Sequence, residues 1–180
     1  MRVALQLVAL VFVGLVVSFF GLVLWARRGE DRPDLPGVRT ICRFTGGSRY
    51  ITHAERAAEA KLGSLALGEG VLRALCSALK ASSVQTDGCA ADDYGWGTHA
   101  QLNGEAAYLL LGRTGDEPDV WQLIIMSPSS GGPGPKSLLE PIDRALRSLD
   151  DIDDIVWHAR EDLNSTAPFP EPIDHARATR

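Results

Sequence analysis

The sequence is poor in the residues that cross-link a small domain or hold a metal in it. Its three cysteines (Cys42, Cys76 and Cys89) are an odd number without a CxxC pair, and its four histidines form no H-x-x-x-H or H-E-x-x-H pair. These spacings exclude a recognisable disulfide framework and a local zinc site, so we predict no metal and no cofactor. Cys42 and Cys76 fall in apolar patterns and are predicted to be core residues. If the domain lay in an oxidising compartment, a Cys42–Cys76 disulfide would become possible.

Motifs that carry recognisable chemistry are also missing. No P-loop, no G-x-G-x-x-G and no G-x-S-x-G occurs, and the glycine-rich connection Ser127–Lys136 contains prolines where a phosphate would need amide donors. The acidic run Asp150–Asp154 lacks the glycine and the glutamate of an EF-hand loop. We interpret it as a solvated acidic turn that pairs with Arg144 and Arg147.

Positive charge is scarce beyond the first 28 residues. Residues 29–180 carry 15 basic and 23 acidic side chains, a formal charge of −8. Such a surface repels nucleic acid and anionic lipid, and no basic stripe offsets it locally. The sequence therefore predicts no nucleic-acid partner.

One long apolar run is present at the N-terminus. Val3–Trp25 contains no charged residue and as a helix would span about 34 Å, slightly more than the hydrocarbon core of a bilayer. Trp25 suits the lipid interface, and Arg27 and Arg28 follow at once as a charged stop. We predict that residues 1–28 are a single-pass transmembrane anchor that contacts the lipid bilayer through Val3–Trp25.

Two other interpretations of this run fit less well. A cleavable signal peptide would have a shorter apolar region that ends in small residues, and a core helix without a polar face would need a far larger domain around it. The arginines after the run favour a cytoplasmic C-terminal domain. The ratio of 15 arginines to 3 lysines suggests a GC-rich bacterial genome, so the predicted location is a bacterial inner membrane. Gly14 and Ser18 could let two anchors pack closely as a homodimer.

The rest of the chain predicts one α+β domain. Residues 29–37, with two prolines, are predicted to be a juxtamembrane linker, residues 38–163 the domain, and residues 164–180 a disordered tail. The hydrophobic periodicities predict the order β-α-α-β-β-β-α-β, a small two-layer fold with a mostly antiparallel sheet and helices on one face. The predicted elements are strands 38–44, 98–102, 105–112, 120–126 and 155–160 and helices 54–65, 72–79 and 138–149.

Two local signals in this domain are specific. Thr52-His-Ala-Glu55 has the spacing of a helix capping box, and Asn103-Gly104 favours a type I′ hairpin turn. Residues 82–97, rich in Gly, Asp and Ser, predict a long loop, and long loops often carry function. Within and just after this loop, Tyr94, Trp96 and His99 are the predicted partner contacts, because exposed aromatic side chains anchor binding partners. The alternative for Trp96 is that it folds back over the core.

The sequence is compatible with three functions. The first is a membrane-tethered module that binds or assembles proteins through the loop with Tyr94 and Trp96 or through the exposed sheet. The second is an anchored enzyme whose acids and histidines converge only in the fold, with Asp92, Asp93, His99 and His158 as candidates. The third is a structural component that self-associates through its anchor.

Overall fold

The computed structural model of the protein describes residues 38–62, 67–114, 119–159 and 168–174. The predicted anchor Val3–Trp25, its Gly14 and Ser18 dimer face and the linker 29–37 lie outside the described residues. In the ranges that are described, no helix has both the length and the apolar character needed to cross a membrane.

The described ranges form a small α+β domain built on an antiparallel sheet. Every strand pair is antiparallel, the sheet order is β2-β4-β5-β6-β1-β7, and β3 pairs with the other end of β4. The prediction of an α+β domain with an antiparallel sheet is confirmed. In chain order the elements are β1 (Ile41–Gly46), α1 (His53–Leu62), α2 (Glu69–Leu79), β2 (Gln85–Thr86), β3 (Ala90–Asp92), β4 (Gly95–Leu102), β5 (Glu105–Arg113), β6 (Val120–Met126), α3 (Lys136–Arg147) and β7 (Ile152–His158).

The hairpin between β4 and β5 forms where the sequence predicts it. Asn103 and Gly104 both have positive φ, 51° and 85°, as a type I′ turn requires. Leu102 therefore faces Glu105, and the register of the two strands follows from this turn.

Strands β5 and β6 bury alternate side chains in the core. Leu109, Leu111, Trp121, Leu123 and Ile125 are at most 1 % exposed, whereas the residues between them on β6 are only half-buried. Helices α2 and α3 contact each other and supply the other half of the core. Their buried residues are Val71, Leu72, Leu75, Cys76 and Leu79 on α2 and Leu138, Leu139, Ile142, Ala145 and Leu146 on α3.

The capping box at the start of α1 is present and does more than cap one helix. Glu55 Oε2 accepts a hydrogen bond from the Thr52 amide at 2.8 Å, and the Thr52 hydroxyl accepts one from the Glu55 amide at 3.1 Å. Glu55 Oε1 accepts two more, from the amides of Gly68 and Gly70, each at 3.1 Å. One buried carboxylate thus ties the start of α1 to the start of α2.

The described side chains of helix α1 make polar contacts. Ala54 and Ala57 are exposed, and Ala58 is only half-buried. Glu55 supplies the hydrogen bonds of the capping box, and Glu59 forms an ion pair of 2.9 Å with Arg113. Alanine buries little surface, so among these side chains the polar contacts outweigh the alanines.

The acidic turn after α3 has different partners from those predicted. Arg147 pairs with Asp143 of its own helix at 2.9 Å, while Asp150 pairs with Arg49 at 3.0 Å. Asp151 Oδ2 accepts hydrogen bonds from the Arg49 amide and from the Ser48 hydroxyl. These aspartates join the end of α3 and the start of β7 to the turn that follows β1.

Two further segments differ from the sequence prediction. Residues 82–97 are not a single loop, because β2, β3 and the start of β4 lie within them. Phe169 and Ile173, inside the segment expected to be a tail, form antiparallel bridges to Trp157 and Val38, and Ile173 is 2 % exposed. Strands of two or three residues and single bridges are too short to produce a sequence periodicity.

We expect Glu55→Gln to destabilise the domain by about 1–3 kcal/mol in chemical denaturation, because the glutamine NH₂ group must face one of the amide donors that now reach the carboxylate.

Burial raises the pKa of Glu55, but the hydrogen bonds from Thr52, Gly70 and Gly68 outweigh this and lower it below its ordinary value. The stability that the charge adds is therefore present above about pH 4.3 and is lost as pH falls through the lower pKa of the folded state.

Glu69→Gln is the matched control, since Glu69 only pairs with Arg73 at the surface. It should leave the denaturation midpoint almost unchanged. Equal losses in the two variants would contradict the clamp.

Candidate functional site

A groove of about 640 Å³ lies over β5 and β6 and is the leading candidate site among the described residues. This volume is within the range typical of ligand pockets. Its floor is made by the residues that alternate with the core positions of these strands. The lining residues are Asp92, Tyr94, Tyr108, Leu110, Gly112, Arg113, Thr114, Gln122, Ile124 and Met126.

The floor of the groove is apolar because of the strand register. Leu110 lies opposite Ile124, and Tyr108 lies opposite Met126, in neighbouring positions of the same pair of strands. Since side chains alternate across a sheet, these four project on the side away from Leu109, Leu111 and the rest of the core. The groove thus offers an apolar strip along two strands.

Tyr108 forms one wall of the groove and lies over Gly97. A Cβ atom at position 97 would collide with the Tyr108 hydroxyl, so glycine gives the ring its place on β4. The hydroxyl donates a hydrogen bond of 2.7 Å to Asp92 Oδ2. The His99 ring contacts the Tyr108 ring in a tilted arrangement, with the centroids 5.0 Å apart. Burial raises the pKa of Tyr108 to about 12, and the hydrogen bond and charge of Asp92 add to this. The phenol is therefore protonated at neutral pH and acts as a donor.

Tyr94 stands at the rim in the turn between β3 and β4. Its side chain is 74 % exposed, the one exposed large hydrophobic side chain in the described residues. The turn lies tightly on β5, because a Cβ atom at Gly112 would meet the Tyr94 carbonyl and one at Gly95 would meet the Leu111 carbonyl. Two glycines thus let the backbone of this turn lie against β5, which brings Tyr94 beside the apolar floor.

The three predicted partner contacts fall on different sides of the sheet. Tyr94 lines the groove. His99 is exposed and its ring contacts Tyr108, which also lines the groove. Trp96 is half-buried, pairs in register with Leu111 and packs against the core. Trp96 therefore covers the core, as its alternative interpretation states. The floor residues Leu110, Ile124 and Met126 were not singled out by the sequence, although the alternation of β5 and β6 contains them.

The four candidates for acid and base chemistry do not all meet. Asp92 and His99 both contact Tyr108, while Asp93 is exposed in the adjoining turn. His158 is on β7, four strands from β4 in the sheet order, which is about 19 Å at the usual strand spacing. Within the described ranges, no three His, Cys, Asp or Glu residues cluster as metal ligands would.

No protein-family model, no curated protein and no solved structure matches this chain.

We expect Gly97→Ala to destabilise the domain by about 1–3 kcal/mol in chemical denaturation. The added methyl group would displace the Tyr108 ring and break its hydrogen bond to Asp92. Gly88→Ala is the matched control, because nothing lies within 4 Å of a Cβ atom there. If both variants unfold at the same denaturant concentration, the ring does not depend on Gly97.

Tyr108→Phe should remove a phenol that titrates near pH 12 from an absorbance titration at alkaline pH. Because the pKa is raised on folding, the stability that this hydroxyl adds is complete below about pH 10 and is lost as pH rises through about 12. The stability difference between wild type and Tyr108→Phe should therefore shrink across that interval. A difference that stays constant to pH 12 would contradict the assignment.

Proposed function

We propose that the chain is a membrane-tethered binding module whose groove holds an extended segment of a membrane-protein partner that carries apolar and basic side chains. In this proposal Val3–Trp25 anchors the chain in a bacterial inner membrane, and the domain lies on the cytoplasmic side. The observation that carries it is the apolar strip of the groove beside an acidic rim and an exposed tyrosine.

The apolar floor supports a partner that buries side chains. Ile124 and Met126 are only half-buried, and Tyr94 is exposed, so a bound segment would remove apolar surface from water at all three. A strip along two strands suits an extended peptide better than a compact ligand, since alternate side chains of the peptide can reach the floor. Tyrosine side chains such as Tyr94 and Tyr108 have only two rotatable angles and so lose little entropy on binding, and Tyr108 is already held by Asp92.

Charge supports a basic partner at one end. Asp92 lines the groove and Asp93 is exposed beside Tyr94, whereas the guanidinium of Arg113 is already paired with Glu59. Farther along the same side of the sheet, Arg43 lies opposite Gln122. Two residues from Arg43, the Thr45 hydroxyl donates a hydrogen bond to Asp154, so charges of both signs lie at β1. Asp92 and Asp93 therefore favour basic side chains of a bound segment at the Tyr94 end of the groove.

The tether supports a partner at the membrane. A linker of nine residues (29–37) reaches at most about 30 Å, so a tethered domain would meet chiefly the segments that flank transmembrane helices. On the cytoplasmic side these flanks are rich in lysine and arginine. The acidic domain would be repelled by anionic lipid and attracted to such segments.

The enzyme alternative is weaker. It needs acids and histidines to converge, but His158 lies four strands from β4, and the raised pKa of Tyr108 disfavours it as a base at neutral pH. No specific observation favours a reaction at the groove over binding there.

The proposal is tested by fluorescence anisotropy with the purified full chain in lipid nanodiscs. The probes are two labelled peptides of equal length and equal apolar content, one with arginine and one with glutamate at the charged positions. The arginine peptide should bind at least about tenfold more tightly, and its affinity should fall as salt is raised.

Three variants locate the binding site. Tyr94→Ala and Ile124→Ser should each weaken binding of the arginine peptide by about tenfold or more, since each removes apolar contact at the groove without adding charge. Gln85→Ala is the matched control, because Gln85 is exposed on β2 and does not line the groove. Equal affinity for the two peptides, or unchanged affinity in both groove variants, would contradict the proposal.

A further inference from the structure

Two of the three cysteines meet at a small cleft away from the groove. Cys76 is on the buried side of α2, and Cys89 is half-buried in the connection that precedes β3. Both line the same cleft of about 270 Å³, which places the two thiols near each other. Both are free thiols in the structure.

The fold brings these residues together by way of the sheet edge. β2 and β3 pair with opposite ends of β4, so the connection between them runs along the outer edge of that strand. Helix α2 packs against β2 and β4 and therefore lies beside this connection. Gly88, next to Cys89, has open space around it, which leaves the connection room to adjust.

We propose that Cys76 and Cys89 are a redox-active pair that closes to an intramolecular disulfide when it reacts with a small-molecule disulfide. Because both thiols line the same small cleft, side-chain rotation and a small shift of the connection would bring the two sulfurs to bonding distance. In the reducing compartment predicted for this domain, the bond would respond to oxidation instead of being permanent.

The reaction proceeds by two thiol–disulfide exchanges. The Cys89 thiolate attacks one sulfur of the small disulfide RSSR, forms a mixed Cys89–SR disulfide and releases RS⁻. The Cys76 thiolate then attacks the Cys89 sulfur, forms the Cys76–Cys89 bond and releases the second RS⁻. The two thiol protons pass through solvent to the released thiolates, so two protein thiols are oxidised and one RSSR is reduced to two RSH.

Exposure favours Cys89 as the first to react. Cys76 is 7 % exposed, whereas Cys89 is half-buried at the surface opening. Arg73, Lys80 and Asp87 also line the cleft, and Arg73 is paired with Glu69, so two cations and two acids balance there. A small disulfide such as glutathione disulfide therefore meets no net charge at the opening.

The rate of this reaction should depend on pH. Burial raises the pKa of Cys89 to about 11, the adjacent Cys76 adds to this, Arg73 opposes it, and Glu69 adds a smaller increase. Because the thiolate is the nucleophile, oxidation should accelerate by about tenfold for each unit of pH between 7 and 10.

Cys42 is excluded from the pair by its place in the core. It is 0 % exposed, and burial, followed by the charge of Asp143, raises its pKa well above its ordinary value. It lies between Leu123 of β6 and Trp157 of β7, so it provides an inert reference thiol.

The test uses the full chain in detergent with glutathione disulfide at about pH 9, followed by intact mass and by thiol titration under denaturing conditions. We expect a loss of about 2 Da, a fall from three free thiols to one, and a peptide map that links Cys76 to Cys89. The melting temperature should rise by several degrees on oxidation and return on reduction.

Serine variants identify the partners. Cys42→Ser should still lose about 2 Da, whereas Cys76→Ser should stop at the mixed disulfide on Cys89 and Cys89→Ser should give no link. Three thiols retained in the wild type, a mixed disulfide that persists there, or a link that includes Cys42 would overturn the proposal. The peptide map of the wild type decides the question even if a serine variant fails to fold.

Discussion

The burial of alternate residues of the sheet under α2 and α3 is the constraint on which the rest of the structure depends. It withdraws Leu109, Leu111, Leu123 and their neighbours from water and leaves the intervening residues to form the groove. Two tryptophans in this buried layer form hydrogen bonds through their indole N–H groups. Trp121 Nε1 donates to the Gly46 carbonyl and Trp157 Nε1 donates to Asp143 Oδ1, each at 2.8 Å. A shift of one residue in the register would exchange core and groove.

Much of the acidic charge of the domain holds the fold together. Glu55 joins the starts of α1 and α2, and Asp151 accepts a hydrogen bond from the Arg49 amide in the turn after β1. Glu59 pairs with Arg113 beside the groove. Asp93 is exposed, and Asp92 accepts only the Tyr108 hydroxyl among the hydrogen bonds of the described residues. Net charge alone would therefore overstate the field that a partner meets.

The strand β3 links the two sites proposed for this protein. Cys89 immediately precedes it, and Asp92 is its last residue. Tyr94, two residues after Asp92, lies in the turn that follows β3 and lines the groove. A three-residue strand at the edge of a sheet has few hydrogen bonds of its own, so its position rests on β4 and on the glycines beneath the turn.

The sequence by itself determined the features whose physics is local. The Thr52–Glu55 capping box, the Asn103-Gly104 turn, the apolar stripe of α2 and strand β6 all depend on residues within a few positions of one another, and each is found as predicted. Tertiary structure alone decided three other contacts. These are the hydrogen bond from the Gly68 amide to Glu55, the β-bridges of Phe169 and Ile173, and the shared cleft of Cys76 and Cys89. These contacts join residues that are 12 or more positions apart, and no periodicity records which distant groups the packing of a sheet will bring together.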